Sequence, residues 1–384
     1  MSDYLGWLER KAVFREKAGL RRALLPRPPA DEIIDLAGND YLGLSGHPAV
    51  VAAAAEGLRE YGLGATGSRL VRGSTELHAT LEEALAGWLG WPAALVLSSG
   101  YLANLGAVRA LAGPDTLIVS DAHNHASLVD GVRLAVAGGA AKVVVPHNDP
   151  AAVRAALAGH PGRPALVVTE SVFSVDGDLA PLGELLAVAR AHGALLLVDD
   201  AHAVGVLGPA GAGGVAAAGL AGEPDVVVTA TLSKSCGAAG GLIAGPAVLR
   251  THLVDTGRTF IYDTALAPPV VAGALAALDL IRGGDGEQAR AELADRAAFA
   301  HDRLVAAGFV AARPAAGVLS VRAPGPGAAL AWAAGCRERG VAVGCFRPPS
   351  TPDGQSRLRL TVNAGVPRGE FEKALDVIVE CGPL

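Results

Sequence analysis

From about residue 90 to 245 the chain alternates short, unbroken apolar runs with longer stretches of helical periodicity. The runs are Ala94–Leu97, Leu117–Val119, Val143–Val145, Leu166–Val168, Leu195–Val198 and Val226–Val228. None alternates apolar with polar residues, so each predicts a strand covered on both faces. Strands of that kind form a largely parallel central sheet with helices on both faces, an α/β fold. Polar clusters follow five of the runs: Ser98 to Tyr101, Asp121 to Ser127, Thr169 to Asp178, Asp199 to His202 and Thr229 to Lys234. Ligands of such sheets sit beyond the carboxyl ends of the strands, so the five clusters are expected to open onto one cleft.

The flanks read differently. Residues 4–24 predict an amphipathic helix, with Leu5, Leu8, Ala12 and Leu20 apolar, Arg15, Lys17, Arg21 and Arg22 polar, and Pro26, Pro28 and Pro29 as the stop. An extended linker then leads into Gly38–Ser45. After about 285 comes a long Ala-rich helix, then Val318–Val321, a helix near 327–339, Val341–Val343, Arg357–Val362 and a last helix from about 368. That is a small α+β C-terminal domain. At 384 residues the chain exceeds the roughly 250–300 that one core supports. The expected division is an arm at 1–45, a large domain at 46–284 and the small domain at 285–384.

Composition narrows the function. No apolar run is long enough to span a bilayer. A net charge of −6 argues against nucleic acid as a partner. Glu9 and Glu16 among the first basic residues fit neither a secretory nor a transit signal. Cys236, Cys336, Cys345 and Cys381 are scattered without metal-ligand spacing, and a reduced cytoplasmic setting is expected.

The chemistry converges on a lysine. Lys234 lies in a Ser/Gly turn after a buried strand, ahead of Gly237, Gly240 and Gly241, which would let backbone approach a ligand. Thirty-five positions upstream, Asp199 ends another strand, with His202 three residues on. Pyridoxal 5′-phosphate (PLP) chemistry needs this set. The lysine forms the Schiff base, the acid keeps the pyridine nitrogen protonated, and the histidine reaches the ring hydroxyl. Asp200 would point away and serve as a cap. Ser99-Gly100-Tyr101 at a strand-to-helix step offers N–H groups and a helix dipole to a phosphate, to which Thr231 could add a hydroxyl. His123 and His125 could mark a metal, but one imidazole stacked on the ring is the better reading, and His125 is preferred. Gly62 to Gly67 spells G-x-G-x-x-G, yet a helix over residues 52–61 precedes it rather than the strand that a dinucleotide site requires. Arg357 and Arg359 share one face of a strand. They are either a solvated surface or a grip on a substrate carboxylate.

In these motifs the chain resembles the α-oxoamine synthases, a fold-type I PLP-dependent transferase family. The matching strings are NDYLGLS from Asn39, GSTELH from Gly73, SGYLAN from Ser99, HASL from His125 and VFSVDGD from Val172. DDAH from Asp199, TLSK ending at Lys234, RPPS from Arg347 and RLRLT from Arg357 complete them. GSTELH and RPPS…RLRLT lean toward the branch that condenses L-alanine with a pimeloyl thioester, on CoA or an acyl-carrier protein, in biotin synthesis. The resemblance implies that Lys234 carries PLP, Asp199 and His202 address its ring, and His125 stacks on it. It further implies that Ser174 and Thr231 hold the cofactor and that the amides of Gly100 and Tyr101 take the phosphate. Arg359 would bind the amino-acid carboxylate, and Arg21, Asn39 and Ser350 would line the acyl route. A homodimer is implied, with Thr264 reaching the neighbour's phosphate. Ala203, the Ser-Lys-Ser-Cys loop and Ser350 depart from common family residues and bear on substrate choice. Glycine or serine with other acyl thioesters, or plain transamination, are the alternatives.

Overall fold

The computed structural model describes residues 3–383 apart from positions 30, 349 and 352. Eleven strands form two sheets among these residues. They are β1 (Ile34–Leu36), β2 (Ala93–Leu97), β3 (Leu117–Asp121), β4 (Ala141–Val145), β5 (Ala165–Glu170), β6 (Leu195–Asp199), β7 (Val226–Thr231), β8 (Gly241–Gly245), β9 (Val318–Arg322), β10 (Val341–Phe346) and β11 (Arg357–Thr361).

The seven-stranded sheet runs β2-β8-β7-β6-β5-β3-β4. Its pairs are parallel except around β8, which is antiparallel to both neighbours. Side chains alternate between two cores. Val119, Val167, Leu196 and Val198 belong to one, and Ile118, Leu166, Val168 and Leu197 to the other. Each face of a strand meets its own helix layer, so the strand sequence is continuously apolar. The sequence reading passed over β8. Gly-Leu-Ile-Ala-Gly is too short and glycine-flanked to give a strand signal. At the far edge, β4 departs from the expected two-sided burial: Val144 is 58% exposed. An edge strand has a neighbour on one side only, and here its alternate residues face solvent.

Gly241 and Gly237 have a role other than the ligand approach expected of them. A Cβ on Gly241 would lie 2.3 Å from Ser99 O, and one on Gly237 would lie 2.3 Å from Ser45 N. Both glycines let one backbone segment pack against another.

The small sheet runs β1-β10-β11-β9. Its first strand comes from the linker: Ile34 pairs with Val341 in parallel register. Three residues are too few for a periodicity signal. The pairing nevertheless brings Asn39 and Tyr41 beside β11. The N-terminal helix stops at Lys17 rather than near 24. Gly19 takes a left-handed φ of +65°, and Leu20 N–H donates to Arg15 O at 2.7 Å. This glycine stop ends the helix before the prolines are reached. The later helices, Gly284–Ala306, Pro326–Glu338 and Arg368–Cys381, fall where periodicity placed them.

Candidate active site

A cavity of about 280 Å³ opens at the carboxyl ends of the parallel strands. The end of β6 supplies Asp199, and the turn after it supplies His202. No helix starts there. The N–H groups of Ala203 and Val204 both donate to Asp200 O, a turn that brings His202 back toward Asp199. Asp200 points away, its Oδ1 accepting from Gly214 N–H at 2.9 Å. Thr231 ends β7, and Ser233 and Lys234 follow it into the cavity. Across from them, Gly100 and Tyr101 open the helix Gly100–Leu111. Ser99 Oγ accepts from Leu102 N–H, so the first two amides of the helix are at the cavity with the positive end of its dipole.

One hydrogen-bonded chain orders the site. Thr229 Oγ1 donates to Asn104 Oδ1 at 2.5 Å, which fixes the amide orientation. Asn104 Nδ2 then donates to Asp199 Oδ2 at 2.6 Å and to Ser127 Oγ at 2.8 Å. Ser127 Oγ already accepts from Asn104, so it donates to His125 Nδ1 at 2.6 Å. Asp199 Oδ1 accepts from Ala201 N–H at 3.0 Å. The acid and the imidazole are thus set relative to each other by one buried amide.

Tyr41 sets the second histidine. Burial lifts its hydroxyl to about 12, against the pull of Arg359, which bonds its oxygen. The phenol keeps its proton and donates it to His202 Nδ1 at 2.5 Å. Burial first, then the charges of Lys234 and Arg359, hold His202 well below its usual range, so it is neutral. With Nδ1 accepting, Nε2 carries the hydrogen and can donate. Burial also draws the Lys234 amine down to about 8, against the opposing pull of Asp199.

The structure therefore brings Gly100, Tyr101, His125, Asp199, His202, Thr231 and Lys234 around one cavity. Ser174 is buried just outside this lining, its N–H donating to Glu170 Oε2 at 3.1 Å. Arg359 is 7% exposed and donates to Asn39 Oδ1. Its Nε has no acceptor among the described residues. The whole of β11 is buried, which removes the solvated-face reading of the two arginines. Arg357 binds Asp353 Oδ2 at 2.5 Å and Asp176 Oδ2 at 3.3 Å, a structural tie rather than a substrate grip. Arg21 and Ser350 lie outside the cavity. Arg21 pairs with Glu16 at 3.1 Å, and Ser350 Oγ accepts from Arg22 at 2.9 Å. Thr264 is exposed and is not among the residues that line its own chain's cavity. His123 stacks on His147 with ring centroids 4.0 Å apart. No three His, Cys, Asp or Glu side chains among the described residues gather as a metal site.

Sequence reasoning missed Asn104, Ser127, Glu170, Tyr41 and Ser233. All five fall within the polar clusters or the SGYLAN and NDYLGLS strings, but only the fold shows which members turn inward. His78 of GSTELH is structural. Its Nδ1 accepts from Thr75 N–H at 3.2 Å and its Nε2 donates to Leu266 O at 2.9 Å.

The donor set suits PLP. It joins an amine, a carboxylate fixed across from it, two free amides at a helix start, and a buried carboxyl oxygen of Glu170 that lacks a partner among the described residues. Residues 31–378 match the class I and II aminotransferases. The chain belongs to this family. It is 53% identical over 376 residues to an 8-amino-7-oxononanoate synthase of Mycolicibacterium gilvum, covering 98% of this chain and 97% of that one. The corresponding synthase of Mycolicibacterium smegmatis is 53% identical over 377 residues, with 98% and 96% covered. Among solved structures, a serine palmitoyltransferase of S. paucimobilis with a bound PLP–myriocin aldimine is 30% identical at a TM-score of 0.91, covering 99% and 97%. An 8-amino-7-oxononanoate synthase of Francisella tularensis is 25% identical at 0.76, covering 91% and 97%. The family match and the PLP-bound relatives make PLP the cofactor and fold-type I the fold.

Proposed function

We propose that the protein condenses L-alanine with a pimeloyl thioester, releasing CO2 and a free thiol and giving 8-amino-7-oxononanoate for biotin synthesis. The observation that carries this reading is a complete lysine–carboxylate–histidine cavity in a chain 53% identical, over nearly all its length, to synthases of that name.

Bound PLP supplies an electron sink conjugated to the amino acid's α-carbon. The residues do the rest. Gly100 and Tyr101 N–H, with the Thr231 hydroxyl, would hold the phosphate. Asp199, anchored by Asn104, would keep the ring nitrogen protonated. Neutral His202 would donate from Nε2 to the ring oxygen, and His125 would cover the ring face. Lys234, its amine drawn down to about 8 by burial, would give up its proton far more readily than a free lysine and can take the α-proton as a general base. Arg359, with Nε lacking an acceptor among the described residues and Asn39 beside it, would bind the alanine carboxylate, the group that the reaction releases as CO2. Arg21 and Ser350, on segments bonded together at the chain's N-terminal arm, would meet the acyl carrier.

The likeness to serine palmitoyltransferase favours a second reading, serine with a long acyl chain. At 30% identity it stands below the 53% of the synthases. We propose a homodimer, for which the support is that Thr264 is exposed and does not line its own chain's cavity. We also propose a cytoplasmic setting, for which the four free cysteines are the support. No helix among the described residues is long and apolar enough to cross a membrane.

The deciding experiment is thiol release from pimeloyl-CoA by PLP-loaded protein of measured solution mass, with L-alanine, glycine or L-serine. Release chiefly with alanine from a dimer is expected. Release only with serine and palmitoyl-CoA would move the substrates to the second reading. No release from any acyl-CoA, or from a pimeloyl carrier protein, would overturn acyl transfer.

A further inference from the structure

Glu170 lines the cavity, and the roles assigned above leave it unused. It ends β5 in register with Asp199 at the end of β6, so the two side chains leave the sheet on the same face. It is 2% exposed. Its Oε2 accepts from Ser174 N–H at 3.1 Å, and the N–H of His125 bonds the same carboxyl. Its Oε1 is buried without a partner among the described residues.

The charges around it decide its state. Asp199 faces it with a negative charge, and Lys234, Arg359 and His125 are the other ionisable groups near it. His125 is drawn toward its neutral form, chiefly by desolvation. The lysine nitrogen is committed to the cofactor in the loaded protein. Burial first, and Asp199 next, hold the Glu170 carboxyl well above the ordinary carboxylate range. Oε2 accepts from Ser174 N–H while Oε1 has no donor among the described residues, so the proton belongs on Oε1.

Strand order indicates what that proton faces. Phosphate donors follow β2, Thr231 ends β7, Asp199 ends β6 and Glu170 ends β5, and the sheet sets these ends in that sequence. Glu170 is therefore at the end of the cavity remote from the phosphate. The edge of PLP away from its phosphate carries a methyl group and the ring hydroxyl, and only the latter accepts a hydrogen bond.

We propose that Glu170 is a further cofactor-binding residue, an uncharged carboxylic acid whose Oε2 fixes the Ser174 turn and whose Oε1–H donates to the ring oxygen of PLP. This rests on the cofactor assignment and not on the choice of amino acid or acyl group.

The test is PLP uptake by cofactor-stripped full-length protein, followed by absorbance, for wild type, Glu170→Gln and Glu170→Met. Glutamine keeps a neutral donor and an acceptor, so its affinity should stay within about threefold of wild type. Methionine keeps the bulk without the donor and should bind about tenfold more weakly, as loss of one hydrogen bond implies. Infrared difference spectra of wild type against Glu170→Gln should show the carbonyl stretch of a protonated carboxyl at neutral pH, which needs no second folded variant. Glutamine as weak as methionine, methionine as tight as wild type, or an ionised carboxylate signature would each overturn the proposal. Failure of wild type to take up PLP would instead sink the cofactor assignment.

Discussion

Asn104 holds the site together, and its removal has a size that the structure allows to be worked out. Asn104→Ala deletes three buried hydrogen bonds: to Asp199 at 2.6 Å, to Ser127 at 2.8 Å and from Thr229 at 2.5 Å. A neutral bond contributes about 1 kcal/mol net and one to a charged group about 1.5–3. The sum is on the order of 4 kcal/mol of stability, because the side chain is buried and water cannot replace it without opening the site. Urea denaturation of cofactor-free protein at fixed concentration measures it. A double-mutant cycle with Thr229→Val should return a coupling of about 1 kcal/mol, since that hydroxyl has Asn104 as its acceptor. PLP affinity should fall more than tenfold in the same variant, as Asp199 and His125 both lose their anchor. A stability loss under about 1 kcal/mol with unchanged PLP affinity would refute this account of the chain from Thr229 to His125.

Two further outcomes are expected. Gly241→Ala places a Cβ 2.3 Å from Ser99 O and 2.6 Å from Gly100 N, so the phosphate turn must move. Affinity for PLP should fall at least tenfold while affinity for unphosphorylated pyridoxal changes little, and equal losses for both ligands would count against a local effect. Lys234 is drawn from 10.5 to about 8 in the folded chain. The unfolded chain then binds more protons between about pH 8 and 10.5, so the stability of cofactor-free protein should rise with pH across that window. Lys234→Met lacks the effect. A wild-type-minus-variant stability difference that is flat over that window would disprove the shift.

Much of the fold was legible because buried parallel strands leave an unmistakable trace. A strand covered on both faces is apolar along most of its length, and the polar residues that follow such a run stand at the strand ends. Lys234, Asp199 and His202 were readable for the same reason, each standing just past such a run. β8 and β1 were not, because five residues with terminal glycines and three residues at a linker carry no period.

What the sequence by itself determined was the chemistry: an amine, an acid and an imidazole at strand ends, in an α/β chain whose motifs match a PLP family throughout. Tertiary structure alone decided which polar residues turn inward. Asn104 acts as a bridge only because the helix Gly100–Leu111 packs across the ends of β6 and β7. Arg359 rather than Arg357 meets Asn39 and Tyr41 because β1, drawn from a linker far upstream, brings them against β11. Contacts of that separation depend on strand pairing in space, and local composition records the residue types but not the pairing.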